Sequence, residues 1–144
     1  IEGAGNIVIS DTVGFIRDLP HSLVDAFHAT LEAATDADLL LHVVDSASHA
    51  RDEQISEVNK VLQEIGARKV RQLIVWNKID LTEVSPGIDL DEYGNIARAR
   101  VSARSGEGLD FLRESLAAYA REKAKVRQKA LADAAFEAQQ NYIN

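Results

Sequence analysis

Four consecutive residues, Asn77-Lys78-Ile79-Asp80, combine an amide, an ammonium and a carboxylate directly after an apolar segment. Ser102-Ala103 directly follow the next apolar segment along the chain. A carboxylate at the end of a strand can accept two parallel hydrogen bonds from adjacent N–H groups on one edge of guanine, whereas adenine presents a different donor pattern there. These residues therefore predict a guanine site in which Asp80 selects the base.

The other residues of these two segments have expected contacts with the base and with each other. Asn77 can join neighbouring loops through its side-chain amide, and the stem of Lys78 can cover the flat face of the ring. The backbone N–H of Ala103, beside Ser102, can donate to the guanine oxygen. The alternative for Asn77 to Asp80 is a plain strand-to-helix turn, and for Ser102-Ala103 alone it is an ordinary turn.

Asp11-Thr12-Val13-Gly14 is a second segment that can carry chemistry. A carboxylate ends an apolar run at Asp11, and three positions later Gly14 lets the backbone approach a ligand. We expect Asp11 to hold Mg²⁺ through a water molecule and the N–H of Gly14 to meet a terminal phosphate. The alternative is a tight turn in which the aspartate caps the backbone.

The apolar pattern of the chain predicts the elements that must position these segments. Short apolar runs predict strands, and apolar residues recurring at spacings of three and four predict helices. The expected strands are 6–10, 39–45, 72–76 and 97–101, and the expected helices are 23–35, 55–65 and one that begins at 109. Gly66 is expected to end the second helix, and 81–95 is expected to be a loop with at most a short helical turn.

The alternation of strands and helices predicts an α/β fold. We expect a three-layer arrangement, a parallel sheet with helices on both faces, because parallel strands need right-handed crossovers. The nearly continuous apolar run at 39–45 is typical of a central strand covered on both faces. Ligands of such folds bind outside the carboxyl ends of the strands, which is the edge where the polar segments are expected.

The order and spacing of Asp11 to Gly14, Asn77 to Asp80 and Ser102-Ala103 resemble the third, fourth and fifth motifs of translation-factor-type GTPases. The segments Asp11 to Val24 and Leu39 to Asp45 closely resemble the HflX branch of these proteins. The resemblance covers about residues 5 to 120 and implies the C-terminal part of a P-loop NTPase G domain that binds GTP or GDP with Mg²⁺. It also implies a cytoplasmic protein that binds the large ribosomal subunit and splits stalled or idle ribosomes.

Phe15 occupies the position after Gly14, where many GTPases carry a glutamine that orients the attacking water. A phenyl ring cannot orient water. The resemblance to HflX-like proteins implies a hydrophobic residue at this position, with slow intrinsic hydrolysis that depends on a partner or on a different water-positioning group. The alternative is that Phe15 is a core residue.

The sequence contains no Gly-x-x-x-x-Gly-Lys-[Ser/Thr] segment, so the phosphate-binding loop and its strand are expected to be absent from this chain. We therefore expect GTP hydrolysis of a full-length protein and no activity of this chain alone. The alternative function is a non-catalytic ribosome- or protein-binding module. The missing strand normally lies between 6–10 and 39–45. These two segments can therefore pair directly or exchange elements with a second copy, or the first segment can be poorly ordered.

Composition limits the remaining possibilities. The 144 residues, 46% of them hydrophobic, predict one domain with one core. With the resemblance, this implies a G-domain part at 1–123 and a helical tail or linker at 124–144. The net charge of -7 argues against attraction of the whole surface to nucleic acid, and without cysteine there is no disulfide. No apolar run is long enough for a bilayer, so no membrane partner is expected. A basic run can contact ribosomal RNA or form a solvated helix face: Arg121, Lys123, Lys125, Arg127 and Lys129.

Overall fold

The computed structural model describes residues 7–11 and 33–141. The elements in chain order are β1 Leu40–Asp45, α1 Arg51–Glu64, β2 Gln72–Asn77, β3 Gly87–Leu90, β4 Ile96–Arg100 and α2 Leu109–Asn141. Residues 33–35 are helical, and short 3₁₀ turns occupy Ala67–Lys69 and Ile79–Leu81. The chain divides into two compact units, of which Ile9–Leu112 contains the sheet and the second contains most of α2.

The four described strands form one sheet in the order β1-β2-β4-β3. β1, β2 and β4 are parallel, in a register that pairs Asp45 with Asn77 and Trp76 with Arg100. β3 runs antiparallel along the outer side of β4. The α/β class and the parallel pairing are thus confirmed, and the sheet is mixed because an antiparallel edge strand has been added to it.

The core of the sheet unit is built on β2 and β4. Leu73 and Val75 are buried on β2, and Ala99 on β4 pairs with Val75 and is fully buried on the same face. Leu62 of α1 and Ala67 beyond it are also buried. Each large aliphatic side chain removed from water contributes roughly 1.5–3 kcal/mol, so this cluster fixes the strands whose ends carry the candidate site.

α1 ends where the sequence predicts it to end. Gly66 has φ +81°, the left-handed conformation that a glycine after a helix adopts without steric cost. Its N–H donates to the carbonyl oxygen of Gln63 at 3.2 Å, and the N–H of Ile65 donates to that of Val61 at 3.0 Å. The last turn of the helix therefore has partners for two of its carbonyl groups.

The expectation of a loop over 81–95 is wrong at β3. Gly87–Leu90 pairs with β4, with an irregularity in register between Asp89 and Leu90. The Asp89 carboxylate lies 2.6 Å from Nε of Arg98 and 3.4 Å from Nη2 of Arg100. Because these partners come from another strand, the local pattern of four residues gave no sign of the pairing.

The strand expected at 6–10 does not form in residues 7–10, which carry no strand structure. Val8 and Ile9 are 89% and 72% exposed. Direct pairing of this segment with 39–45 is therefore not observed, while exchange with a second copy and poor order of the first segment stay predictions. Among the described strands β1 is accordingly an outer strand and not the expected central one, and its Val43 is 60% exposed.

α2 continues without interruption from Leu109 to Asn141. The side chains of 121–139 are all exposed. The domain boundary predicted at residue 123 lies inside this helix and stays a prediction. Within the described residues, neither helix combines the length and the apolar character needed to cross a bilayer.

Candidate functional site

The carboxyl ends of three parallel strands bring the predicted guanine-site residues together. β1 ends at Asp45, β2 ends at Asn77, and the chain leaves β4 toward Ser102. The strand ends are joined through the backbone, because the N–H of Ser46 donates to the carbonyl oxygen of Asn77 at 2.9 Å. The N–H of Val101 likewise donates to the carbonyl oxygen of Trp76 at 2.8 Å. The site thus rests on backbone bonds that extend the sheet.

Asn77 connects the two loops, as its amide side chain was expected to do. Its Oδ1 accepts hydrogen bonds from the N–H of Lys78 at 2.8 Å and from the N–H of Ala103 at 2.9 Å. The second bond differs from the expectation for Ala103, whose N–H was predicted to donate to guanine. In the structure this N–H is therefore engaged by Asn77, and its role toward a base stays a prediction.

Asp80 and Ser102 form the closest contact between the two loops. The Ser102 hydroxyl donates to Oδ1 of Asp80 at 2.6 Å and accepts the N–H of Ser105 at 3.1 Å. Ser102 is fully buried, whereas Asp80 is exposed. Among the described residues, Oδ2 of Asp80 has no hydrogen-bond partner. The exposed carboxylate is therefore oriented by one buried hydroxyl.

The turn that carries Asp80 is held by the burial of Ile79 and by a backbone hydrogen bond. Ile79 is 3% exposed, and its N–H donates to the carbonyl oxygen of Val101 at 3.2 Å. Lys78, immediately before it, has φ 66° and ψ 33°, a left-handed conformation that is uncommon outside glycine. Such strain persists only where surrounding contacts over-determine the backbone, and it is concentrated at functional loops.

The Lys78 side chain contacts a residue outside the predicted motifs. Its Nζ donates to Oδ2 of Asp45 at 2.6 Å, while Oδ1 of Asp45 accepts the N–H of Ala47 at 3.0 Å. The hydrogen bond from Lys78 holds the pKa of the Asp45 carboxyl below its ordinary value, with partial burial opposing and the Ala47 amide assisting. In the sequence, Asp45 is a carboxylate at the end of a predicted strand. Its pairing with Asn77 brings it within reach of the Lys78 side chain.

Trp76 precedes Asn77 and lies between two guanidinium groups. Arg51 is 4.3 Å and Arg98 is 3.9 Å from the centre of its ring system. Both distances are within the range of cation–π attraction. Arg51 also donates from Nη1 to the carbonyl oxygen of Ser46 at 3.5 Å. Sequence reasoning did not identify this stack, since its cations come from α1 and β4.

The predicted metal and phosphate residues are only partly within the described chain. Asp11 is described and exposed, whereas Gly14 and Phe15 lie outside the described residues, so their roles stay predictions. In the described ranges, no group of three or more His, Cys, Asp or Glu side chains could hold a metal ion. The described geometry can bind a polar ligand through the second oxygen of Asp80. The Ala103 N–H and the Lys78 ammonium already donate to Asn77 and Asp45.

The chain matches a family model described as "50S ribosome-binding GTPase" over residues 1–78. It is also similar to several proteins named GTPase HflX. The protein of Escherichia coli K12 is 47% identical over 117 residues, which cover 81% of this chain and 28% of the relative.

Two other relatives give the same result. The protein of Spirochaeta thermophila is 47% identical over 112 residues, covering 78% of this chain and 27% of the relative. That of Magnetococcus marinus is 49% identical over 112 residues, covering 78% and 26%. The chain therefore spans about a quarter of the length of the curated relatives that it matches.

Proposed function

Because this chain belongs to the 50S ribosome-binding GTPase family, as an HflX-type member, we propose that it supplies guanine recognition to a GTP-hydrolysing domain. The observation that carries the proposal is the exposed Asp80 carboxylate, fixed by the buried Ser102 hydroxyl at 2.6 Å. Asn77 joins the loops that carry Asp80 and Ala103 at the carboxyl edge of the sheet. Guanine presents N1–H and N2–H side by side, and a carboxylate held in one orientation can accept both.

We propose roles for the other residues that agree with their positions. The Lys78 stem covers one face of the base, the Ala103 N–H turns from Asn77 toward the guanine oxygen, and Asn77 keeps the two loops together. Hydrolysis belongs to the full-length protein. This chain alone is expected to turn over no GTP, because its sequence does not contain the loop whose amides and lysine bind the phosphates.

The proposal includes Mg²⁺, which neutralises charge developing on the β- and γ-phosphates of a bound nucleotide. Asp11 is a single exposed carboxylate at the end of an apolar run. That arrangement suits Mg²⁺, which keeps several waters and takes one or two carboxylates together with phosphate oxygens. Asp11 would hold the ion through water, and Gly14 would place its N–H at the terminal phosphate.

The decisive experiment replaces the base-reading carboxylate in the full-length protein. Asp80→Asn replaces one acceptor oxygen with an N–H donor. Xanthine carries an oxygen where guanine carries its amino group, so the new donor matches xanthine. We expect GDP binding to weaken and xanthosine diphosphate binding to strengthen, each by about ten- to hundredfold, as one bidentate contact discriminates by roughly 1–3 kcal/mol. Both affinities are measured by calorimetric titration.

The matched control is Glu83→Gln, which removes another exposed carboxylate close in sequence. It should leave both affinities within twofold of the unaltered protein. If Asp80→Asn leaves the preference for guanine over xanthine unchanged, the proposed role of Asp80 is wrong.

A second candidate function, binding to the large ribosomal subunit, is favoured by the basic part of α2. Residues 121–129 contain five basic residues and one acidic residue, a net charge of +4 in a chain of net charge -7. All of these side chains are exposed. We propose that this segment contacts ribosomal RNA, whether the protein hydrolyses GTP or is a non-catalytic binding module. A cytoplasmic location is part of this proposal.

Salt dependence tests this contact. In the full-length protein, Lys125→Gln with Arg127→Gln should weaken binding to purified 50S subunits and lower the slope of log affinity against log salt by about 1–2. The control is Arg68→Gln with Lys69→Gln, the same change of charge at exposed positions on the sheet unit. An unchanged slope in the first variant would show that the segment is only a solvated helix face.

A further inference from the structure

We propose that Asp45 is a positioning residue for guanine binding, which holds the Lys78 side chain where its stem covers the base. The inference rests on the proposed function and adds a residue from outside the three sequence motifs. Lys78 Nζ and Asp45 Oδ2 are 2.6 Å apart, although the residues come from different loops. Asp45 does not need to touch the nucleotide for this role, because it acts through the lysine.

The strand register explains why the contact is available. Asp45 and Asn77 are paired residues at the ends of the parallel strands β1 and β2. Lys78 follows Asn77 in a left-handed conformation. The Lys78 side chain reaches the Asp45 carboxylate on the neighbouring strand. Its four-carbon stem is therefore fixed at the backbone and at Nζ.

Anchoring matters because a lysine stem is flexible. Fixing such a side chain costs conformational entropy, and a contact that fixes it before the ligand arrives removes that cost from binding. The Lys78 and Asp45 side chains are 52% and 35% exposed, so solvent screens their attraction and the energetic effect is modest. The pKa of Asp45 is lowered chiefly by the hydrogen bond from Lys78, which favours the charged carboxylate.

A purely structural role for Asp45 makes a different prediction. Its other oxygen, Oδ1, accepts the N–H of Ala47 and so also caps the turn after β1. Asp45→Asn keeps a carbonyl acceptor for this amide but removes the charge that holds the ammonium. If capping alone matters, the substitution should have little effect on binding, and any effect should be independent of Lys78.

The experiment is a double-mutant cycle for GDP binding in the full-length protein, with Asp45→Asn, Lys78→Met and the double variant. We expect Asp45→Asn to weaken GDP binding about two- to fivefold, the range of an exposed ion pair. In the Lys78→Met background the same substitution should have no further effect. The matched control is Glu57→Gln, which breaks the exposed 2.6 Å contact with Lys60 and should leave GDP affinity unchanged.

The outcomes separate this inference from the proposed function. If the unaltered protein binds GDP and Asp45→Asn binds it equally well, the positioning role is overturned and the guanine site stands. Equal losses in the native and Lys78→Met backgrounds would also overturn it, in favour of turn capping. If the unaltered protein does not bind GDP, the proposed function fails and takes this inference with it.

Discussion

Ser102 shows how one buried hydroxyl can organise two loops. It donates to Asp80 and accepts from the N–H of Ser105. Replacing Ser102 with alanine removes both hydrogen bonds, each of which contributes about 1 kcal/mol. We therefore expect Ser102→Ala to lower the free energy of unfolding by about 1–2 kcal/mol, measured by urea denaturation.

The neighbouring serine supplies the comparison. Ser105 is exposed, and its hydroxyl bonds only to Glu107 among the described residues. Ser105→Ala should change stability by less than about 0.5 kcal/mol. Equal effects of the two substitutions would mean that burial of the Ser102 hydroxyl confers no special stability.

His42 gives a prediction on pH. It lies on β1, its Nδ1 is buried without a hydrogen-bond partner in the described chain, and burial lowers its pKa. The unfolded chain has the ordinary histidine pKa of about 6.5 and therefore binds a proton before the folded chain does. Stability should begin to fall as the pH approaches about 6.5, the unfolded pKa, and should keep falling below it toward the lower pKa of the folded chain. His42→Leu should make this dependence shallower in urea denaturation carried out on both sides of that pH, and an unchanged slope would contradict the assignment.

At the residue scale, the sequence predicted that Asn77 joins neighbouring loops, but it did not predict the bond of Ser102 to Asp80 or that of Lys78 to Asp45. Asn77 and Asp80 follow one predicted strand and Ser102 follows the next along the chain, so the fold class could place them at the same edge of the sheet without giving their contacts. The bond from Lys78 to Asp45 depends on the exact pairing of β1 with β2. Periodicity identifies a strand without giving its register, and this contact therefore needed the structure.

Two glycines in the loop between β4 and α2 differ in the space available for a side chain. Gly108 has φ +79°, and a Cβ atom there would lie 2.2 Å from the backbone oxygen of Arg100. Gly106 has φ +87°, with open space around the Cβ position. Backbone atoms cannot move aside cheaply, so only the first position combines strain with a clash.

Alanine substitutions separate these two effects. Gly106→Ala should cost about 1–2 kcal/mol of stability, the price of a left-handed non-glycine residue. Gly108→Ala should cost about 3 kcal/mol or more, because overpacking adds to that strain. Urea denaturation of both variants provides the measurement, and equal losses would show that the backbone near Arg100 yields easily.

Elements with a strong internal pattern were predictable, whereas those defined by a neighbour were not. β1, α1, β2 and β4 have apolar runs or a helical period and appear within a few residues of their expected bounds. β3 is too short to show a pattern, and its charge pairs with arginines of β4 stabilise it. Residues 7–10 show the converse, since a β-branched run forms no strand where no described strand pairs with it.

At the scale of the molecule, β2 and the end of α2 differ most in burial, and their local stability should differ with it. β2 is paired on both edges and carries the buried Leu73 and Val75. Residues 121–139 of α2 have no buried side chain. We expect amide hydrogens of 121–139 to exchange through local opening at far lower free energy than those of β2, as mass spectrometry of deuterium uptake would show. Equal protection would imply a partner along the helix.

The position of Trp76 has a practical consequence. It is the chain's one tryptophan, and it is enclosed by Arg51 and Arg98 one residue before Asn77. Indole fluorescence responds to the charge and the solvent next to the ring, so a ligand that moves the Asn77 loop would change the light emitted from a single known position. The chain therefore carries its own optical probe, and nucleotide titrations can be followed without attaching a dye.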